Sequence, residues 1–219
     1  MKILITSGAT REPLDEVRFL SNVSTGATGA ALADALAARG HAVTLLAGLA
    51  AVRPAAAVEV ETFSSAQDLL ARLQRRLGAG TFDLAIMAAA VSDYRPETRT
   101  SGKLPSRAES LTLRLVRNPK LLPQLKTLSP RPLRVIGFKL TVGADAAARQ
   151  AAVAAQFAAG GVDAVVHNDL AEIRAAPAAA HPFHVFHAPD APPREAAGIA
   201  ALLDELGRSD SGRRPGMAP

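Results

Sequence analysis

The residues of this chain whose types and spacing could do chemistry fall in a few short stretches. The longest runs from Ser7 to Gly29, SGATREPLDEVRFLSNVSTGATG, and sets Gly8, Gly26 and Gly29 among Arg11, Glu12, Asp15, Glu16, Arg18, Ser21, Asn22 and Ser24. Glycines let a backbone approach a phosphate closely, and the free N–H groups and positive dipole end of a following helix attract the anion. Ser24 and Thr25 stand where that helix would begin, placed to cap it or to donate to phosphate oxygens. A second stretch is Ala88-Ala-Ala-Val-Ser-Asp-Tyr-Arg95, in which Ala88, Ala89 and Ala90 leave room for a ligand and Asp93 adds a carboxylate at the rim. A third, Arg95 to Ser110, is polar, contains Pro96, Gly102 and Pro105, and holds one lysine, Lys103.

These stretches need elements to position them. Lys2 to Thr6 is a short apolar run rich in β-branched residues, read as a buried strand. Ala30 to Arg39 is Ala/Leu-rich with Gly40 directly after it, the composition and stop of a helix. Strands are expected over 42–46, 58–63, 82–87, 111–116, 134–140, 162–168 and 182–188, the last as a sheet edge. A helix follows Ser64 or Ser65 and runs to Leu77, with Leu69, Leu70, Leu73 and Leu77 on one face. Asn118 is a natural cap for a short helix over 119–128 with Pro119 in its first turn; further helices are expected over 145–160 and 195–207. Strands alternating with helices predict an α/β fold with three αβα layers and a mostly parallel, Rossmann-like sheet. In such sheets ligands sit beyond the carboxyl ends of the strands, where Ala88–Asp93 would lie, and 95–110 reads as a mobile flap over that site. One domain over 1–208 is expected, with 209–219 as a disordered tail.

Composition removes several classes of function. Cysteine is absent from the 219 residues, which excludes disulfides, thiolate metal sites and a cysteine nucleophile. His184 and His187 are three apart, a poor metal pair on a strand, and no metal site is assigned; His167 is read as structural. No signal peptide or membrane span is visible, so no membrane partner is expected and a cytoplasmic location is. The net charge of +5 favours anionic ligands. Scattered arginines, one tyrosine and no tryptophan argue against nucleic acid. The G-x-G-x-x-G dinucleotide fingerprint is missing, and Ala47-Gly48-Leu49 after the second strand offers no acidic residue for a ribose.

The run from Gly8 to Gly29, some twenty residues with Arg, Asn, Ser and Gly at set places, resembles the opening of phosphopantothenate–cysteine ligases. Ala89-Ala-Val-Ser-Asp-Tyr94 is similar to that family's second block, and the likeness runs from about Ile3 to Leu206. The resemblance implies joining of 4′-phosphopantothenate to L-cysteine through an acyl nucleotidylate, with Mg²⁺ and CTP or ATP as co-substrate and no flavin. It implies a homodimer, and a stand-alone form in which the decarboxylase is a separate protein. By the same resemblance Gly8, Ser24, Gly26 and Gly29 would hold the triphosphate, with Pro119 and Lys120 from an Asn-Pro element near it. Phe138 and Asn168 would hold the nucleoside. Asn22, Ala89, Ala90 and Asp93 would bind phosphopantothenate or its acyl nucleotidylate, Asn22 also counting among the catalytic groups. Arg18 would reach the substrate phosphate across the dimer, and Lys103 would stabilise the activation transition state. CTP is expected from the bacterial-like composition, with ATP close behind, because the sequence has no lysine anywhere in 140–219 where the CTP-using relatives carry them and Phe138-Lys139-Leu140 is similar to the ATP-using branch. Two other readings stay open, a non-catalytic nucleotide sensor and an NAD(P)-dependent reductase.

Overall fold

The computed structural model describes residues 1–105 and 109–208. Part of the expected flap, residues 106–108, and the expected tail, 209–219, lie outside the described residues.

The chain opens with β1 (Lys2–Ser7), buried from its second residue on. The polar stretch that follows, expected as one loop, contains a small hairpin, β2 (Arg11–Pro13) and β3 (Phe19–Ser21). Then come α1 (Ala27–Ala38), β4 (Ala42–Gly48), β5 (Glu59–Phe63), α2 (Ala66–Gly78) and β6 (Leu84–Met87). Ser65 caps α2, its hydroxyl accepting from the Asp68 N–H at 3.2 Å. A second ribbon, β7 (Tyr94–Pro96) with β8 (Leu115–Arg117), precedes a 3-10 turn at Leu122–Gln124 that runs into the single turn α3 (Leu125–Leu128). The chain finishes with β9 (Arg134–Thr141), α4 (Ala146–Ala158), β10 (Ala164–Asp169), α5 (Leu170–Ala175), β11 (Pro182–Phe186), β12 (Arg194–Ala197) and α6 (Gly198–Arg208).

The main sheet has eight strands in the order β12-β11-β10-β9-β6-β1-β4-β5. Six run parallel, and β11 and β12 add two antiparallel strands at one side. On one face Leu32 and Leu36 of α1 and Leu202, Leu203 and Leu206 of α6 pack against Ile3, Ile5, Leu45 and Val166. On the other face Leu69, Leu73 and Leu77 of α2 and Leu125 of α3 pack against Leu4, Leu46, Ala85 and Val135, and Val153 of α4 against Val165. Odd and even strand residues therefore serve opposite layers, the three-layer arrangement that the alternation of elements predicts. Among the described residues no helix is long and apolar enough to cross a membrane.

Four local expectations are corrected. Residues 111–114 are not strand: β8 begins at Leu115 because a two-stranded ribbon off the main sheet has no apolar layer to bury Leu111 and Leu113, which are exposed. The helix expected over 119–128 shrinks to the 3-10 turn and α3, since Pro123, which lacks an N–H, sits in its first turn. The strand at 182–186 is not the edge, because β12 pairs outside it. Residues 195–197, expected as helix, belong to that strand; the chain turns into α6 only at Gly198, whose φ of 78° suits glycine and where a Cβ would sit 2.6 Å from the Ala179 carbonyl.

Leu73 is fully buried between α2 and the sheet. Leu73→Ala should therefore lower unfolding free energy by about 3 kcal/mol in urea melts. A loss below about 1 kcal/mol would mean that this layer collapses around the missing side chain.

Candidate functional site

The site is built where β1 and β6 end side by side. The two strands are parallel neighbours, Thr6 opposite Met87, but the chain after β1 departs towards β4 and the chain after β6 towards β9. Loops that diverge at such a point open a crevice at the carboxyl edge of the sheet. Here they are stitched together past the last sheet residues: Ala90 N–H donates to the Gly8 carbonyl at 2.8 Å and Thr10 N–H to the Ala90 carbonyl at 3.2 Å. Thr10 Oγ1 accepts from Ser92 N–H at 3.0 Å and lies 3.2 Å from Ser92 Oγ. Asn22 then crosses from the far end of the hairpin, its amide donating to the Val91 carbonyl at 3.3 Å.

The glycines of the first loop are explained by the packing of α1. Gly26 takes the N-cap position at φ 76°, and its carbonyl accepts from Ser7 Oγ at 2.8 Å. A Cβ on Gly26 would lie 2.8 Å from the Ala51 methyl, one on Gly8 2.6 Å from it, and one on Gly29 would overlap Ser7. Backbone thus fills the space that side chains would take. The expected cap is met in part: Gly26 at the N-cap has no side chain to offer, but Thr25 Oγ1 accepts from the Ala27 N–H at 3.3 Å. The first turn carries no acidic residue, which leaves its other N–H groups and positive dipole end directed at the crevice. Ser24 is half-buried beside it.

Ala89, Ala90 and Asp93 follow β6 as expected, the alanines half-buried and Asp93 exposed. Asp93 Oδ1 accepts from Lys120 Nζ at 2.6 Å. Asn118 is not a helix cap. It is buried, donates its amide to the Ser92 carbonyl at 3.0 Å and its backbone N–H to the Asp93 carbonyl at 2.8 Å, so it props the Asp93 loop from below. Pro119 and Lys120 are thereby held at the rim, both exposed. The Lys120–Asp93 pair is open to water on both sides and worth little as a bond.

Lys103 and Arg18 form a separate group. Lys103 is exposed and, among the described residues, makes no ion pair. Arg18 lies in the hairpin turn against Asp15, with Nε at 2.9 Å and NH2 at 2.6 Å from Oδ2, and NH2 also donates to the Leu104 carbonyl at 2.7 Å. The hairpin is itself bolted to α2: Arg11 N–H donates to the Ser64 carbonyl at 2.8 Å, and the buried Glu12 carboxylate accepts from Ala66 N–H at 2.9 Å. No hydrogen bond among the described residues joins the Lys103 group to the Asp93 group; what they share is the hairpin.

Farther along the same edge stand Phe138 and Asn168. Phe138 is half-buried and meets Phe183 edge-on at 6.4 Å. Asn168 is buried, with its amide nitrogen 3.2 Å from Nε2 of His181, and the His181 ring stacks on Phe183 at 4.4 Å. The neighbouring Asp169 accepts from the backbone N–H groups of Gly143, Ala144 and Ala171 and from Thr141 Oγ1, which holds its carboxyl far below the usual range. His167 is fully buried, 2.8 Å from the same Thr141 hydroxyl. Because that hydroxyl donates to Asp169, it accepts from His167, so the ring carries its proton on Nε2 and leaves Nδ1 unpartnered. The structural reading of His167 fits this geometry.

The family model described as the DNA/pantothenate metabolism flavoprotein C-terminal domain matches residues 1–188. The chain belongs to this family. Among curated relatives of the domain, the coenzyme A biosynthesis bifunctional protein CoaBC of Thermococcus kodakarensis is 32% identical over 169 residues, covering 77% of this chain and 41% of that protein. The protein of the same name from Mycobacterium tuberculosis H37Rv is 44% identical over 123 residues, 55% of this chain and 29% of its own. The chain thus spans less than half the length of these relatives. Among solved structures, the DNA/pantothenate metabolism flavoprotein of Streptococcus pneumoniae superposes with a TM-score of 0.84 at 24% identity, covering 97% of this chain and 99% of that one. A mutant of Cab2 in complex with phosphopantothenate-cysteine superposes with a TM-score of 0.80 at 18% identity, over 96% and 86% of the two chains. These likenesses establish the Rossmann-like fold.

Sequence reading of this family domain missed three contributors to the site. Asp15 had a signal: an Asp ahead of Glu16-Val-Arg18 in a polar loop is an Asx-turn former. Asn118 was noticed but given the wrong task. His181 had no local signal, since only the antiparallel entry of β11 brings it beside Asn168.

Burial, with Arg149 and His184 nearby, pushes His167 down to about 4, while Glu172 and Asp169 pull weakly the other way. A histidine held neutral in the fold stabilises it fully above the unfolded pKa of about 6.5, and that stability is lost as pH falls towards the folded value. Between pH 6.5 and 4 the domain should lose on the order of 3 kcal/mol more than His167→Gln does, read from urea melts at each pH. Identical slopes would show that His167 is not held neutral.

Proposed function

We propose that this chain catalyses the joining of 4′-phosphopantothenate to L-cysteine at the expense of a nucleoside triphosphate. The observation that carries this reading is the meeting, at one crevice, of a helix N-terminus with glycine at its N-cap and no acidic residue in its first turn, behind Gly8, Gly26 and Gly29, with Asn22, Ala89, Ala90 and Asp93. The family membership and the relatives' roles in coenzyme A biosynthesis support it. A carboxylate is a poor acyl donor until one of its oxygens becomes part of a good leaving group. In the first step the substrate carboxylate attacks the α-phosphorus, the bond to pyrophosphate breaks, and an acyl nucleotidylate forms. In the second the cysteine amine attacks the acyl carbon, the nucleoside monophosphate leaves, and the amine gives up a proton.

The chain's contribution is positioning and charge. The α1 N–H groups, with Gly8, Ser24, Gly26 and Gly29, would cradle phosphates, and Pro119 and Lys120 would border them. Phe138 and Asn168 would receive the nucleoside. Asn22, Ala89, Ala90 and Asp93 would hold the acid and then the acyl nucleotidylate, with Asn22 beside the reacting atoms. Lys103, which has no partner of its own among the described residues, is available to developing phosphate charge. Mg²⁺ belongs with the triphosphate: no three carboxylate or imidazole groups gather to hold a metal among the described residues, and Asp169 is already spent on four donors. CTP is the nucleotide we propose, with ATP as the alternative. A homodimer fits the exposed Val17 and Phe19 of the hairpin, and Arg18, with 37% of its side chain exposed, would reach a substrate phosphate across it. A cytoplasmic site of action goes with this reading.

Purified protein with Mg²⁺ should release pyrophosphate only when phosphopantothenate and a nucleoside triphosphate are both present, with repeated turnover once cysteine is added, faster with CTP than with ATP. Silence with every triphosphate would reject the ligase. Lys103→Gln should slow pyrophosphate release on the order of 10²-fold with the melting curve unchanged. Arg18→Ala should raise the KM for phosphopantothenate roughly tenfold, and an unchanged KM would remove the cross-dimer contact.

A further inference from the structure

We infer that Asp15 is a positioning residue, a carboxylate latch that fixes the backbone on both sides of Lys103 and orients the Arg18 guanidinium at the same time. The inference rests on the reading above, in which Lys103 serves the activation step.

The Asp15 side chain has no exposed surface although it lies in a hairpin turn. It accepts from five donors. Oδ1 takes the backbone N–H of Val17 at 2.8 Å and of Arg18 at 2.7 Å. Oδ2 takes Arg18 Nε at 2.9 Å, Arg18 NH2 at 2.6 Å and the backbone N–H of Leu104 at 2.9 Å. The same Arg18 NH2 donates to the Leu104 carbonyl, so both backbone groups of Leu104 are held by one ion pair. On the other side of Lys103, the Gly102 carbonyl accepts from Glu16 N–H at 3.1 Å, and Thr100 N–H donates to the Leu14 carbonyl at 3.0 Å. The residues before and after Lys103 are thus tied to residues 14–18, while the lysine side chain itself is exposed.

Five donors suit a carboxylate and no other side chain of that size. An amide at position 15 would keep one oxygen for the turn and point an NH2 group at the guanidinium and at Leu104 N–H, or the reverse. The donors also hold the Asp15 carboxyl well below its ordinary range, Leu104 N–H being the largest cause, so the latch stays ionised at neutral pH. Charge is apportioned to match. Asp15 and Arg18 pair with one another within the latch, which orients the guanidinium, while Lys103 is exposed and makes no ion pair among the described residues. A catalytic cation on a loop loses rate when its backbone wanders, because a misplacement of about 1 Å costs on the order of 10²-fold.

The test is Asp15→Asn in the full chain, with Arg18→Gln as a second variant that breaks the latch from its partly exposed side. Both are checked for folding by circular dichroism and melting. Hydrogen exchange at the Leu104 amide should accelerate at least about tenfold in Asp15→Asn, since its acceptor is lost. The kcat for pyrophosphate release should fall on the order of 10²-fold while the nucleotide KM stays within about threefold. In a Lys103→Gln background, adding Asp15→Asn should cost less than about threefold, because both changes remove one contribution. Unchanged exchange and kcat in Asp15→Asn, beside a slow Lys103→Gln, would overturn the latch and leave the ligase reading intact. Multiplying losses in the double variant would overturn it also, reducing Asp15 to a folding role. Full activity of Lys103→Gln alone would remove Lys103 from the mechanism and the positioning role with it.

Discussion

Everything at the carboxyl edge of this sheet depends on how the chain continues past β1 and β6. Two parallel strands that end together normally part company, and their loops then owe each other nothing. Here the Gly8 and Ala90 backbones pair for one more step, and the Thr10 hydroxyl binds Ser92 beyond that. The crevice has a rigid floor as a result. A side chain at residue 8 would collide with Ala51, so the floor can form only if that position is glycine. Asn22 is tied to Val91 in the loop that carries Asp93, and the Gly26 cap of α1 is tied to Ser7 at the end of β1.

Charge is distributed around the crevice by a simple rule. Carboxylates with many backbone donors, Asp15 and Asp169, are buried and shape loops. Asp93 has one exposed partner, Lys120, and that pairing is weak enough for a ligand to replace. The α1 terminus and Lys103 bring positive potential that no acidic residue in the first helical turn offsets. Elsewhere part of the basic charge is consumed locally: Arg72, Arg75 and Arg76 all converge on Glu61, whose carboxyl they hold at about 2 despite its burial.

The β2–β3 hairpin gives the two halves of the site a common frame. Its root is fastened to α2 through Glu12 and Ser64, its turn holds the segment around Lys103, and its far end delivers Asn22 to the β6 loop. A movement of the hairpin would therefore be felt at both places, although they share no direct hydrogen bond among the described residues. Its outer face shows Val17 and Phe19 to solvent, with the Arg11 guanidinium 4.4 Å over the Phe19 ring.

The layers were readable from residue order because burial imposes its period wherever an element is covered. Strands β1, β4, β6, β9 and β10 appear as apolar runs, and α2 as leucines at positions 69, 73 and 77. The glycine loop and the Ala88–Asp93 stretch were legible too, since close approach restricts residue type. Periodicity failed where an element is short, exposed or bounded by tertiary contact: the hairpin, the ribbon that shrank to Leu115–Arg117, and β12 taken for helix. Side-chain partners were decided by the fold alone. Leu104 on Asp15, Asn118 under Ser92 and His181 beside Asn168 join residues whose encounter is set by tertiary folding. Local composition determined which segments could bury themselves and which could bind an anion, because those depend on a residue's own chemistry. Which carboxylate is spent and which cation is left free depends on neighbours distant in sequence, and only the tertiary structure decided that.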